Sequence, residues 1–180
     1  MNNELQHYGV KGMKWGVRRY QNKDGSLTKL GKTRRDIDAV NDIMSTMSKD
    51  DKKKLNLHDG YKETIDNSKT VLKRVIKRVG NVPVSFFEVT GGSDGVAVSI
   101  GTRSGDKYRN KGYALKVAKE GKKWIDEHYD EFDKVVWWAR KDNIGSIKTA
   151  ERIGFKLDES SVLPDDPWIM YQYKKGGTSK

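Results

Sequence analysis

The sequence has no cysteine. That excludes disulfides, thiolate-ligated zinc and a thiol nucleophile. Histidine is nearly as scarce. His7, His58 and His128 stand far apart, so a histidine-built metal site has little support and no metal is expected. His128 falls where a helix is expected to end, and a cation there offsets the helix dipole. No run of about 18 apolar residues occurs, and the N-terminus lacks an apolar h-region. No membrane contact and no signal-directed secretion are expected. Apolar residues make up only 34% of the chain, so its core must be compact and part of it is expected to lie outside that core.

What the chain does have is positive charge, unevenly spread. Its formal net charge is +11 over 180 residues. Residues 1–35 hold nine Lys or Arg against Glu4 and Asp24, a net of +7, which leaves +4 for all the rest. A basic arm on a nearly balanced domain points to a polyanion or an acidic partner surface. The expected division is an arm over residues 1–33 and one domain over 34–180. In the arm, Tyr8, Trp15 and Tyr20 alternate with glycines and cations, without helical or strand periodicity. Such aromatics could stack on bases while the cations meet phosphates, or could dock in a groove on a protein.

Beyond the arm, Ile37, Val40, Ile43, Met44 and Met47 share one face of a helix expected over Arg34–Met47. Ser48 can cap a second short helix reaching Leu55, with Asp50 and Asp51 in its first turn. The run Lys52-Lys53-Lys54 reads as a solvated face. Local signals conflict at Thr70–Val79. Its apolar residues have helical spacing, yet most are β-branched, and Gly80-Asn81 followed by Val82–Val89 reads as a hairpin turn and return strand. Strands are expected there. Gly91–Gly95 then turns the chain into a third strand, Val96–Arg103.

That strand feeds Arg109-Asn110-Lys111-Gly112-Tyr113-Ala114, which opens an amphipathic helix marked by Val117, Ala118, Gly121, Trp124 and Ile125. Amides at a helix start lack partners, the dipole favours anions there, and glycine lets an oxyanion approach the backbone. Arg109 and Lys111 add charge. The combination reads as a cradle for pyrophosphate. A second block follows: a strand over Lys134–Arg140, a helix from Asn143, and Gly154-Phe155 at its end. Phe155–Asp158 and Trp168–Lys174 complete the strands, the last fitting an antiparallel edge.

Arg109-x-x-Gly112-x-Ala114 resembles the acetyl-CoA pyrophosphate loop of the GNAT superfamily of N-acetyltransferases. Asn143-x-x-Ser146 running on to Gly154-Phe155 resembles that family's next helix, in the family's order. The likeness covers about residues 70–174. It implies an α/β (α+β) fold: a mixed, mostly antiparallel sheet with splayed central strands, flanked by helices. It also implies acetyl-CoA as co-substrate, held by the backbone near Ile100, Gly101 and Thr102, by the Arg109–Ala114 loop, and by Asn143 and Ser146. Asn143 reads equally as a plain helix N-cap.

The reaction implied is direct attack of a primary amine on the thioester, which needs a proton acceptor. Glu88 is the candidate base and Asp94 the second choice; each could equally be an ordinary strand or turn carboxylate. Many family members place a tyrosine in the second helix to protonate the departing sulfur. Ala150 stands at that position here, and Ser146 is the candidate to hydrogen-bond the sulfur. Trp137 and Trp138 point to opposite sheet faces. Trp138 is the candidate wall of the acceptor site, with core packing for both as the alternative. Asp158, Glu159, Asp165 and Asp166 concentrate charge where the family's acceptor enters. Asp165 and Asp166 are candidates to attract a cationic amine, a solvated acidic turn being the alternative.

The arm's Gly9-x-Lys11-Gly12-Met13-Lys14-Trp15-Gly16-x-Arg18-Arg19 resembles a tract recurring in structural and head-associated proteins of tailed bacteriophages. The expectation is a phage-encoded N-acetyltransferase acting on a protein lysine, an N-terminus or a small cationic amine, in the host cytoplasm or the virion. The alternative is a virion-associated accessory protein that binds CoA or nucleic acid without turnover. The arm would serve a phage structural protein or a nucleic acid.

Overall fold

The computed structural model describes residues 20–22, 24–58, 60–92 and 95–176. The arm residues Tyr8 and Trp15, and the second-choice base Asp94, lie outside the described residues. Helix α1, Lys29–Ser45, begins five residues before the expected Arg34, because Thr28 is a working cap: its hydroxyl accepts from Gly31 N at 3.1 Å. The last residues assigned to the arm, Lys29–Thr33, are therefore helical. Helix α2, Lys49–Lys53, is capped as expected by Ser48, whose Oγ accepts from Asp51 N.

Next come strands β1, Val71–Val79, β2, Val82–Gly92, and β3, Gly95–Thr102. β1 resolves the conflict between helical spacing and β-branching in favour of strand. Its alternate residues divide between two cores: Val75 packs under helix α3, Tyr113–His128, while Ile76 packs under α1. The glycines Gly91 and Gly92 extend β2 and Gly95 opens β3, so the turn between them is shorter than the five residues expected.

Strand β4, Val135–Arg140, helix α4, Ile144–Arg152, the two-residue strand β5, Lys156–Leu157, and β6, Trp168–Tyr173, complete the chain. One sheet results, in the order β1-β2-β3-β4-β6-β5. Only β3 and β4 are parallel. β6 is not the edge: it lies between β4 and β5, because the chain returns from β5 to fill the gap beside β4.

The larger core lies between the sheet and α3 with α4, around Phe87, Trp137 and Phe155. The smaller packs α1 on the other face through Val40, Ile43, Met44, Met47 and Phe86. Gly121 lets α3 settle on the sheet, since a Cβ there would lie 2.1 Å from the Phe87 ring. His128 ends α3 as expected, its Nδ1 2.8 Å from Trp124 O and its ring stacked on Trp124.

Candidate functional site

The site forms where the parallel pairing stops. β3 and β4 run in register from Val96 opposite Val135 to Val98 opposite Trp137, and no pairing between them continues beyond. From Trp138 onward β4 pairs only with β6, while β3 through Thr102 pairs only with β2. The two strands part, leaving the backbone of Ile100–Thr102 on one lip.

On one side of the gap lies a cavity of about 490 Å³. Every residue expected to meet the co-substrate lines it: Ile100, Gly101, Thr102, Arg109 through Ala114, Asn143 and Ser146. Gly112 caps α3 in the left-handed region, at φ +72, with no neighbour within 4 Å of a would-be Cβ. The first intrahelical bond at this end runs from Lys116 N to Gly112 O, so the amides of Tyr113, Ala114 and Leu115 have no acceptor within the helix. Three amides without a helical acceptor, on cavity-lining residues at the positive end of a 16-residue helix and beside an open glycine, can cradle an anion.

Residues without a motif complete this cavity. Lys148 and Arg152, four apart on α4, add cations, and Asp51, Lys54 and Leu55 close it from the α2 side. The spacing of Lys148 and Arg152 puts them on one helical face and was a usable signal. Lys54 is not on a solvated face: its side chain pairs with Asp50 at 2.8 Å and reaches the cavity. Arg109 is held by Asp51 at 2.5 Å and by Ser104 Oγ at 3.1 Å. Burial resists ionisation of Asp51, but hydrogen bonding from Ser48 and the charge of Arg109 outweigh it and hold the carboxyl below its ordinary value.

Across the gap, on the α2 face of the sheet, lies a second cavity of about 480 Å³. The two share Lys54, Leu55, Ile100 and Ser146, so they meet at the parted strands. Trp137 and Trp138 divide as alternation requires. Trp137 is 1% exposed and packs edge-on against Phe87 and Phe155, whereas Trp138 is 47% exposed; both contribute to the wall of the second cavity. Trp137 Nε1 donates to Ser146 Oγ at 2.9 Å, which leaves the Ser146 hydroxyl proton free to be donated elsewhere. Asn143 does cap α4, accepting from Ser146 N at 3.3 Å, while also lining the first cavity.

The acidic loop does not act as a block. Asp158 accepts from Ser160 and from Gln172, and Asp165 is exposed off the cavity wall. Asp166 alone of the four lines the second cavity, its Oδ1 also accepting from Trp168 N at 2.9 Å. Ala150 is fully buried in the main core, so the position aligned with the tyrosine faces away from both cavities.

Glu88 lies one strand further in. It stands directly opposite Ser99 in the β2–β3 register and lines a third cavity of about 260 Å³. Ser99 and Leu55 border both this cavity and the second one. Glu88 is not an exposed strand carboxylate: Arg74 Nε donates to its Oε1, and Arg74 Nη2 donates to Glu63 at 3.1 Å. Burial pushes the Glu88 carboxyl above its ordinary value, Arg74 pulls it down, and Glu63 adds to the rise.

Among the described residues, no group of three or more His, Asp or Glu side chains is placed to hold a metal ion. None of the described helices is long and apolar enough to cross a membrane.

No curated protein matches the chain. Among solved structures, the ribosomal-protein-S18-alanine N-acetyltransferase from Escherichia coli superposes with a TM-score of 0.54 at 12% identity, covering 86% of this chain and 96% of that one. An acetyltransferase from Agrobacterium tumefaciens gives 0.46 at 20% identity, over 57% of this chain and 60% of its own. A PaiA N-acetyltransferase from Thermoplasma acidophilum, solved with coenzyme A, gives 0.48 at 13% identity, over 62% and 67%. Residues 1–22 match a family of unknown function. Residues 14–156, most of the chain, match the acetyltransferase (GNAT) domain, and the chain therefore belongs to the GNAT acetyltransferase family.

Proposed function

We propose that this protein transfers an acetyl group from acetyl-CoA to a primary amine. The observation that carries the reading is the parting of β3 from β4 directly beside the Gly112 anion cradle. The Ile100–Thr102 lip, unpaired on its β4 side, offers a pantetheine chain strand-like hydrogen bonds, and the Tyr113–Leu115 amides with Arg109 and Lys111 offer the diphosphate its donors. Acetyl-CoA supplies the activated acetyl thioester. The amine enters through the second cavity, past Trp138 and Asp166, and its nitrogen bonds to the carbonyl carbon as the carbon–sulfur bond breaks. Ser146 donates its free hydroxyl proton toward the departing sulfur. A thiol ionises near pH ~8.5, so a hydrogen bond is a sufficient aid.

The amine's proton passes by way of Ser99, which lines both cavities, to Glu88 opposite. Adjacent strands lie ~4.8 Å apart, a span one hydroxyl or one water bridges. Glu88 must be ionised to accept it. The rate is therefore expected to rise with pH through the Glu88 titration, and Glu88→Gln to lower kcat by roughly 100-fold and flatten that limb. The pH–rate profile of the two proteins checks this, and an unmoved limb removes Glu88 from the role.

Thiol release from acetyl-CoA against a panel of amines tests the whole reading; CoA bound without thiol release in any mixture overturns it. A binding measurement tests the cradle. Arg109→Gln is expected to weaken CoA roughly tenfold, the lower end for a charge-assisted contact half exposed to water. Asp51→Asn is expected to tighten it about threefold, because Asp51 competes with the diphosphate for Arg109. Calorimetric titration with CoA checks both signs.

The basic segment ahead of α1, residues 1–28, is assigned to attachment rather than chemistry, on a phage structural protein or a nucleic acid. Phage origin rests on its tract alone.

A further inference from the structure

The rim of the second cavity says more about the acceptor than the cavity does. Four of the eight exposed large apolar side chains among the described residues belong to the segments that supply this cavity's lining: Trp138 itself, Ile144 at 53% two residues before Ser146, and Val162 at 42% and Leu163 at 55% in the loop leading to Asp166. The grouping follows from specific contacts. Lys141 N donates to Pro167 O at 2.8 Å, and Lys141 Nζ donates to Leu163 O at 2.6 Å, which ties the 162–167 loop to the turn after β4. Ile144 stands three residues past Lys141 as the first residue of α4. Trp138 lies two residues before Arg140, on the same strand face, with Trp168 paired opposite Arg140.

Ile144, Val162 and Leu163 do not line the cavity; they lie outside it. A small amine that fits within about 480 Å³ leaves them in water. Only an acceptor continuing past the mouth covers them, and grouped exposed apolar residues mark such contacts. The interior argues for what enters. Trp138 offers an aromatic face to an alkyl stem, and Asp166 is a carboxylate at the wall for the cationic end. An amine on a four-carbon stem can reach the parted strands while its backbone stays at the rim.

We propose that the acceptor is the side-chain amine of a lysine in a polypeptide segment, flanked by apolar residues that pack on Ile144, Val162 and Leu163. This rests on the acetyl-transfer reading above. The test measures thiol release with acetyl-CoA and α-amine-blocked peptides whose single lysine is flanked by leucine or by serine. The same leucine peptide with only its α-amine free, n-butylamine and spermidine are run beside them.

The leucine-flanked lysine is expected to exceed the serine-flanked one by at least tenfold in kcat/KM. Leu163→Asp and Ile144→Asp are each expected to lower the ratio of leucine-peptide to n-butylamine turnover about tenfold. Equal rates for the two flanks, a faster α-amine or spermidine, or an unmoved ratio in both variants overturns the inference while acetyl transfer stands. No thiol release from any amine overturns the underlying reading instead.

Discussion

Arg74→Met is expected to destabilise the protein by about 3–5 kcal/mol, because it strands two buried carboxylates. The side chains of Arg74, Glu63 and Glu88 are 7%, 6% and 10% exposed. One guanidinium serves both acids, with Ser68 Oγ donating to Glu63 at 2.6 Å and Tyr61 OH at 2.8 Å. Burial and the bond to Glu63 push the Tyr61 hydroxyl up to about 12, so it stays a donor. Against a total stability of roughly 5–15 kcal/mol, a loss of this size is severe.

The loss depends on pH. Burial holds the folded Glu88 carboxyl above its ordinary 4.5, so the native state keeps that proton longer than the unfolded chain does. The stability this contributes is complete below the ordinary value and is lost as pH rises through the folded one. Removing Arg74 takes away the one charge that opposes this, so the deficit is expected to grow from pH 5 to pH 8. Urea unfolding at both values checks it. Glu88→Gln on top of Arg74→Met is expected to recover part of the loss at pH 8. A single variant within about 0.5 kcal/mol of the parent would show that the cluster is not sealed from water.

Gly121→Val is expected to cost about 3 kcal/mol or more, the upper range for forcing volume into a packed core. The added Cβ would lie 2.1 Å from two ring carbons of Phe87. Phe87 cannot turn aside, being fully buried and set edge-on to Trp137 with ring centroids 6.2 Å apart. The helix must lift instead. Since α3 begins at the Gly112 cradle, lifting it also displaces the amides of Tyr113–Leu115. Molecules that remain folded are therefore expected to bind CoA more weakly, which separates this variant from one that merely unfolds. Denaturant titration and calorimetry on the same sample read the two effects.

The Arg109–Ala114 loop and the helix after it were legible because their chemistry is local. A glycine at an αL cap, cations beside it and a helical apolar stripe all fall within twenty consecutive residues, and each points the same way. Glu88 was legible as a carboxylate on the strand before β3, but not as one bound to Arg74. That pair is made across a register between residues fourteen apart in sequence. Lys148 and Arg152 carried only the signal of their four-residue spacing, and Asp51 only that of an acid in the first turn of a helix, neither of which points to a cavity. Only the approach of α2 and α4 to the parted strands brings them to one cavity.

The division of labour is consistent. By itself the sequence determined the order of strands and helices around the cradle, the absence of any thiol chemistry, and the alternation that sends Trp137 and Trp138 to opposite faces. Those properties depend on residues within a turn or a strand of one another. The tertiary structure alone decided that β6 is interior and where the second cavity opens. Each depends on which distant segment supplies the missing partner: β4 and β5 for the first, and the loop anchored by Lys141 for the second. Backbone hydrogen bonds and buried area come from such pairings, and no local stretch can signal them.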